Sequence, residues 1–501
     1  MSSPFANNSI LEIIKRYRTI WSLYHLSALA QWDMNTYMPE DGINARSEAL
    51  GKVAVLSQKL FLDNDFVSLI QKAEKEKLND YEKAIIRLLK RDLRHYQKLP
   101  PEFIEEFTKV TNEAHMAWKN AKEKNKFSLF EPDLEKIVEL SRKKAEYLGY
   151  EKHPYDALLD EYEEGLTTED VQKYFDSIKK PIISLLKYIK NSPKYKNRHP
   201  LENEKYETLK MEQLNKKFLE LVHNNSNNLR MDVAPHPFST SLGIGDARIT
   251  TRYEGKNFKQ SYSSTIHEFG HALYDLQCGK ELAYTPIGTG TSLVIQESQS
   301  RLWENMIGKS REFIRMFYSD ITKLNANIKK YSIDDIYEYM NSVKPSPIRT
   351  GADEITYHLH VLIRFEIEKG LIEGKISVKD LPKIWAEKYE SYLGIKPKTD
   401  TEGVLQDIHW SQGNIGYFPT YSMGTSLSVI WKNEMEKDIG KISGILTSKE
   451  GIKKIEEWLR TNIHQYGSTY TFKEIVKRVT GKEFSPQPLL DYLKEKYKGI
   501  Y

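Results

Sequence analysis

The sequence has little cysteine, little net charge and no long hydrophobic run. Cys278 is the single cysteine among 501 residues, so the chain can form no internal disulfide, and we expect a cytoplasmic protein. The net charge is only +4, and no nucleic-acid partner is expected because such partners need a concentrated basic surface. No apolar run reaches the roughly 20 residues of a membrane helix, and Met1–Ser9 lacks a signal-peptide pattern. We therefore expect neither membrane insertion nor export.

Helical periodicity dominates what is present. Ile10, Ile14, Tyr17 and Trp21 recur at spacings of three and four, which predicts an amphipathic helix. Further stretches show the same pattern, namely 61–99, 101–124, 134–148, 168–189 and much of 310–501. The fold class predicted from these patterns is mainly α.

One stretch breaks the helical pattern. Residues 247–253 are rich in β-branched side chains, and 254–257 have the composition of a turn. These features predict a strand or hairpin. A substrate backbone could pair with this strand.

The most informative motif, His267-Glu268-Phe269-Gly270-His271, lies within the predicted helix 264–277. Residues i and i+4 share one face of a helix, so two imidazoles at this spacing can bind one metal ion at about 2.0–2.1 Å each. Glu268 is then placed to take a proton from water, whose pKa a bound metal ion lowers toward about 7. The pattern predicts a catalytic metal site.

Other interpretations of the motif remain open. The histidines could pack or cap a core helix, and Thr265 with Glu268 fits a capping box. Gly270 favours the metal interpretation, because glycine inside a helix costs about 1 kcal/mol relative to alanine. Its presence predicts that another element approaches this helix closely.

A catalytic zinc site needs a third protein ligand. Glu297 is the candidate, since it lies in a stretch of helical spacing that follows the turn Gly288-Thr289-Gly290. Glu304 is a rival ligand. Glu297 could instead form an ordinary ion pair with Arg301 at position i+4.

Six segments, taken in order, resemble motifs of the carboxypeptidase Taq family of thermostable metallocarboxypeptidases. They are Gln31-Trp32-Asp33-Met34-Asn35-Thr36-Tyr37-Met38-Pro39, His236-Pro237-Phe238, Asp246-Ala247-Arg248-Ile249-Thr250, Glu297-Ser298-Gln299, Ile348-Arg349-Thr350-Gly351-Ala352-Asp353 and Gly403-Val404-Leu405-Gln406-Asp407-Ile408-His409-Trp410. The resemblance covers nearly the whole chain. One departure is Gln296, where the family usually has histidine, and it affects the surroundings of the metal more than its ligands.

The resemblance implies a neurolysin-like helical fold with a deep substrate groove and a small β-sheet beside the zinc helix. It implies one domain over 1–501, with a helical part at about 1–200 that covers the groove and a catalytic part at about 201–501. It also implies Zn²⁺ bound by His267, His271 and Glu297, with Co²⁺ accepted in its place. The remaining implications are a homodimer and a broad-specificity carboxypeptidase that acts on peptides with a free C-terminus.

Further roles follow from the chemistry of such a reaction. The tetrahedral oxyanion needs hydrogen-bond donors, and the candidates are His236, His409, Tyr417 and Tyr421. Tyr417 and Tyr421 could instead be packing residues, and His409 could be a core histidine beside Trp410.

The substrate's terminal carboxylate needs an anchor, and arginine suits it because its planar fork forms two hydrogen bonds. Arg349 is the first candidate, although it could pair with Asp353 instead. Arg248 is the second candidate, although Asp246 could neutralise it.

Two other functions remain as alternatives. An endo-acting metallo-oligopeptidase of the same fold would share the metal residues and lack the carboxylate anchor. A catalytically silent helical binding protein would keep zinc for structure, and Glu268 argues against it because a structural site gains nothing from that acid.

Overall fold

The fold is mainly helical, as predicted from the periodicity. A computed structural model describes residues 3–223 and 227–501; of the segment Met1–Ser9, Met1 and Ser2 lie outside the described residues. No helix within the described ranges is long and apolar enough to cross a bilayer.

The described residues form twenty α-helices and three β-strands, in the following order along the chain. They are α1 (Asn8–Thr36), α2 (Ile43–Phe61), α3 (Asn64–Ala73), α4 (Asp80–Lys98), α5 (Pro101–Glu123), α6 (Glu131–Leu148), α7 (Pro154–Tyr162), α8 (Thr168–Lys190), α9 (Thr208–Val222), β1 (Leu229–Val233), β2 (Ser239–Gly243), β3 (Asp246–Thr251), α10 (Lys259–Gln277), α11 (Leu293–Arg301), α12 (Arg311–Ile321), α13 (Ile333–Met340), α14 (Thr356–Ile372), α15 (Leu381–Leu393), α16 (Pro419–Ile439), α17 (Ile442–Ile445), α18 (Lys449–Asn462), α19 (Phe472–Thr480) and α20 (Gln487–Ile500). A π-helical segment, Leu302–Gly308, continues α11.

Local sequence explains where several helices begin and what they bury. Asn7 caps α1 by accepting from the backbone N–H of Ile10, and the apolar stripe of this helix, including Ile13 and Ile20, is buried. Thr167 and Asp170 form a capping box at the start of α8. The predicted periodic stretch 61–99 is divided into α3 and α4.

The sheet has the strand order β1-β3-β2, with β1 parallel and β2 antiparallel to β3. The strand predicted at 247–253 is β3, which begins and ends slightly earlier. Because β3 is the middle strand, both of its edges are already paired. The expectation that a substrate backbone pairs with this strand is therefore wrong.

Helix α10 carries the metal motif and lies against the sheet. Ala247 and Ile249 of β3 form one buried apolar cluster with Ala272 of α10, which confirms the predicted sheet beside this helix. α10 begins at Lys259, so Thr265 lies in its interior, where its hydroxyl donates to the carbonyl of Ser261 at 3.1 Å. The capping-box interpretation of Thr265 is therefore wrong.

The chain divides into two compact units of interleaved segments. The first comprises Met1–Tyr96, Pro200–Met340 and Ile430–Phe484, and the second comprises Gln97–His199, Asn341–Val429 and Ser485–Tyr501. The first unit contains the sheet, α10 and α11. The single domain over 1–501, its parts at 1–200 and 201–501, the neurolysin-like topology and the groove stay predictions.

Candidate metal centre

Helices α10 and α11 bring three predicted metal ligands together. His267, His271 and Glu297 each offer one ligand atom, and these atoms lie within 4.8 Å of one another. Oε2 of Glu297 is 3.6 Å from Nε2 of His267 and 3.6 Å from Nε2 of His271. Ligand atoms about 2.0–2.1 Å from a tetrahedral ion are roughly 3.3 Å apart, so the donor set and its spacing fit such an ion.

Gly270 allows the two helices to approach this closely. A Cβ atom at this position would lie 2.6 Å from Cα of Ser300 and 2.7 Å from the carbonyl oxygen of Gln299. Both atoms belong to the backbone of α11 and cannot rotate away. The close approach predicted from this glycine is confirmed.

Each histidine has a partner on the ring nitrogen that faces away from Glu297. Nδ1 of His267 lies 3.0 Å from Oε2 of Glu304, and Nδ1 of His271 lies 3.2 Å from Oε1 of Gln296. Both partners are acceptors, so each Nδ1 carries the proton and each Nε2 keeps a lone pair for a metal ion.

Glu304, the rival candidate, therefore contacts the candidate ligand His267 and is not one of the three residues that meet. The π-helical segment carries it, and Arg301 and Lys309 donate to its two oxygens at 3.2 and 2.7 Å. These cations, despite burial, hold the pKa of Glu304 well below its usual range. An ionised Glu304 orients the imidazole of His267 and raises its basicity.

Glu268 is buried beside this group. It is 8% exposed, and the hydroxyl of Ser239 donates to its carboxylate. Burial first, and then the charge of Glu297, raise the pKa of Glu268 to about 7, although a charged His267 would oppose the shift. A carboxylate with a pKa near neutrality is suited to accept a proton and to return it.

The three candidate ligands differ in how their surroundings shift their pKa values. Burial lowers the pKa of His271 to about 4, and the neighbouring His267 adds to this effect. Burial acts in the same direction on His267, but Glu297 and Glu304 outweigh it and raise the pKa of that residue. Glu297 is also buried, yet Arg301 lowers its pKa, so the carboxylate is ionised.

Arg349 lies in the second unit and is almost fully buried. Its Nε donates to Oδ1 of Asp407 at 2.9 Å and its Nη1 to the hydroxyl of Tyr357 at 3.2 Å. Asp353, the partner considered from sequence, accepts from Thr356 and from the backbone instead. Across residues 3–223 and 227–501, the side-chain hydrogen bonds of Arg349 come from Nε and Nη1, and none comes from Nη2.

A second buried arginine shares Asp407. Arg364 on α14 donates from Nε to Oδ2 of Asp407 at 2.7 Å and is 0% exposed. The two guanidinium groups hold the pKa of Asp407 well below its usual range, against the effect of burial. Two cations around one carboxylate leave this trio with one positive charge in excess.

His409, Tyr417 and Tyr421 lie together in the same unit. Nε2 of His409 is 3.3 Å from the hydroxyl of Tyr421, and its ring is 5.3 Å from that of Tyr417. The guanidinium of Arg349 lies 5.0 Å from the centre of the Tyr421 ring. Burial, with Arg349 as the next cause, lowers the pKa of His409 to about 3, so this histidine is neutral.

The other predicted residues lie in the sheet region of the first unit. Arg248 donates to both oxygens of Asp246 at 2.9 Å, so its fork is occupied by the acid that the sequence analysis gave as a possible neutralising partner. His236 is in the exposed connection between β1 and β2, and its carbonyl accepts from Thr250. Ser239 and Arg364 were missed by the sequence analysis, although Ser239 directly follows the motif His236-Pro237-Phe238.

Comparison with known proteins identifies the family. The sequence profile of the carboxypeptidase Taq (M32) metallopeptidases matches residues 12–497. The chain belongs to this family. The predicted membership and the predicted metallocarboxypeptidase function are thereby confirmed, and an enzyme of this family hydrolyses peptide bonds.

Individual M32 relatives match over nearly their full length. Thermostable carboxypeptidase 1 of Pyrococcus furiosus is 45% identical over 99% of this chain and 100% of its own. Carboxypeptidase 1 of Bacillus subtilis is 36% identical over 95% of each chain. The Apo-Mg structure of Pyrococcus furiosus carboxypeptidase superposes with a TM-score of 0.96 at 45% identity, over 98% of this chain and 99% of that one.

Proposed function

We propose that this M32 enzyme is a zinc-dependent carboxypeptidase that removes single residues from peptides with a free C-terminus. The convergence of His267, His271 and Glu297 beside Glu268 carries the proposal. Two imidazole nitrogens and one carboxylate oxygen are donors typical of catalytic zinc, whereas Mg²⁺ prefers oxygen ligands. Co²⁺ accepts the same donors and is proposed as a substitute.

The side chains of the site have different roles in the proposed reaction. His267, His271 and Glu297 would hold the metal ion, which when bound lowers the pKa of a water molecule and polarises a carbonyl group. Glu268 takes the proton of the attacking water and delivers it to the leaving amine. His236, His409, Tyr417 and Tyr421 are proposed as donors to the oxyanion.

Arg349 is proposed as the anchor of the substrate's terminal carboxylate. Its Nη2 donates no hydrogen bond among the described residues, and the excess positive charge of the trio with Arg364 and Asp407 matches one added carboxylate. Arg248 and Asp246 are also proposed to bind substrate, but more weakly than Arg349, because they already form an ion pair with each other.

Cytoplasmic location and a homodimer belong to the same proposal. The single buried cysteine supports a reducing compartment. The homodimer is supported only by the resemblance to the family, and no nucleic-acid or membrane partner is proposed.

Digestion of one peptide in free-acid and C-terminally amidated forms tests the proposal. We expect stepwise release from the free acid and little cleavage of the amide. The variant Arg349→Met should lose most of this difference, mainly through a higher KM for the free acid. Equal internal cleavage of both peptides would establish the endopeptidase alternative, and no turnover by the zinc-loaded protein would establish the silent one.

A further inference from the structure

Gln296 connects a candidate metal ligand to a buried acid. Its Oε1 is 3.2 Å from Nδ1 of His271, and its Nε2 donates to Oδ1 of Asp275 at 3.2 Å. Asp275 lies four residues after His271 on α10, so both side chains are on the face that meets α11. The three side chains form a continuous hydrogen-bonded chain.

The chemistry of the chain fixes its direction. Oδ1 of Asp275 already accepts from the backbone N–H of Gly290, so it acts as an acceptor and the amide nitrogen of Gln296 points toward it. The amide oxygen then faces His271, and an amide oxygen also only accepts. Nδ1 of His271 must therefore carry the proton, which leaves the lone pair of Nε2 toward Glu297.

The turn that precedes α11 supports this chain. The backbone N–H of Gly290 donates to Oδ1 of Asp275 at 3.1 Å. A Cβ atom at Gly290 would overlap the amide nitrogen of Gln296, so only glycine leaves space for the carboxamide. The backbone N–H of Gly290 thus holds Asp275 in place, and the missing side chain of Gly290 leaves room for the carboxamide of Gln296.

We propose that Gln296, held by Asp275 and Gly290, is a positioning residue that sets the tautomer and ring orientation of His271. The inference rests on the proposed metal site. The two histidines then have different orienting partners. Ionised Glu304 orients His267, whereas the uncharged carboxamide of Gln296 orients His271. Three acids already lie around the metal group, namely Glu268, Glu297 and Glu304, and the carboxamide supplies an acceptor without a further charge.

Zinc affinity of the metal-stripped protein tests the role of Gln296. The variants are Gln296→Leu and Gln296→Met, the second of which keeps the unbranched shape. Gln299→Leu is the matched control, because Gln299 is a buried glutamine of the same helix whose amide oxygen contacts His464, away from the metal group. Competition with a chelating indicator gives the Kd, and the Tm of the metal-stripped protein reports folding.

We expect both Gln296 variants to raise the Kd for Zn²⁺ by about 10–100-fold and Gln299→Leu to leave it unchanged. In ¹⁵N-histidine spectra of the metal-stripped protein, the proton of His271 should be on Nδ1 in the wild type and the control, and shift toward Nε2 in both Gln296 variants. Should Gln296→Leu fail to fold, Gln296→Met decides the question.

Three results would overturn the inference. Wild-type Kd and tautomer in the folded Gln296 variants would show that the contact has no positioning role, and an equal loss in Gln299→Leu would show a general packing effect. A wild-type protein that binds no zinc at all would overturn the proposed function as well, so the two failures are distinguishable.

Discussion

Nε of Arg301 donates to Oε1 of Glu297 at 2.6 Å, and this contact selects the carboxylate oxygen that faces the histidines. Oε2, the other oxygen, is the one that lies 3.6 Å from both imidazole Nε2 atoms. Nη1 of Arg301 also reaches Glu304 at 3.2 Å. One guanidinium therefore orients a candidate ligand and the partner of His267.

Removal of this guanidinium should weaken zinc binding. We expect Arg301→Met to raise the Kd for Zn²⁺ by about 10–100-fold, because Glu297 loses its orienting donor. Chelator competition on metal-stripped protein measures the effect. Arg311→Met is the control, since Arg311 is exposed and pairs with Asp334. Equal affinities of the two variants would contradict the orienting role.

Alanine at Gly270 should separate the two helices of the metal group. The added Cβ meets the backbone of Ser300 and Gln299, so we expect Gly270→Ala to lower the free energy of unfolding by about 1–3 kcal/mol and to weaken zinc binding. Urea unfolding of metal-stripped protein measures the first effect.

Gly51→Ala is the matched control for that experiment. Gly51 lies within α2 and a Cβ there would meet nothing within 4 Å, so the change should raise the free energy of unfolding by up to about 1 kcal/mol. If both variants respond alike, the close approach at Gly270 has no energetic consequence.

The metal group was predictable because its signals are local. Two histidines one helical turn apart and a glycine between them already imply one ion and one close neighbour. The helix that carries Glu297 could be predicted from its spacing, and Glu297 was the preferred candidate over Glu304. The contact of Glu304 with Nδ1 of His267 could not be predicted, because it depends on how α10 packs against the segment that follows α11.

The buried arginine cluster shows what sequence could not supply. Arg349 and Asp407 are 58 residues apart in sequence, and Arg364 and Asp407 are 43 apart. Arg364 is an interior residue of α14 with no motif around it, so nothing local marks it as a partner. Strand β2 was missed for a related reason, since its serine, threonine and glycine residues give no hydrophobic alternation.

Glu268→Gln should separate metal binding from turnover. The amide keeps the size of the side chain and its contact with Ser239, but it cannot take a proton. We expect full zinc content and a kcat lower by about 10²–10⁴-fold, measured with a free-acid peptide and by metal analysis of the same sample. Glu220→Gln, a change on the exposed face of α9, should leave both quantities unchanged. A Glu268→Gln variant that keeps its kcat would remove the proton-transfer role.

Glu368 should make the stability of the protein depend on pH. This acid is 0% exposed and accepts from the hydroxyl of Tyr155, Nε1 of Trp410 and the backbone N–H of Gly416 at 2.6, 2.7 and 2.9 Å. These donors favour the ionised form, but burial outweighs them and raises the pKa of Glu368 to about 7. In the unfolded chain the same group titrates near about 4.3.

Between these two values the folded protein binds more protons than the unfolded chain, so the free energy of unfolding falls as pH rises toward 7. Glu368→Gln carries no titrating proton. The stability of the wild type relative to this variant should therefore fall by on the order of 3 kcal/mol from about pH 5 to about pH 8, because each pKa unit corresponds to about 1.4 kcal/mol. Urea unfolding of both proteins at the two pH values measures this difference, and Glu220→Gln should follow the wild-type profile. A difference that is independent of pH would mean that the folded protein keeps Glu368 ionised, with its three donors compensating fully for the loss of water.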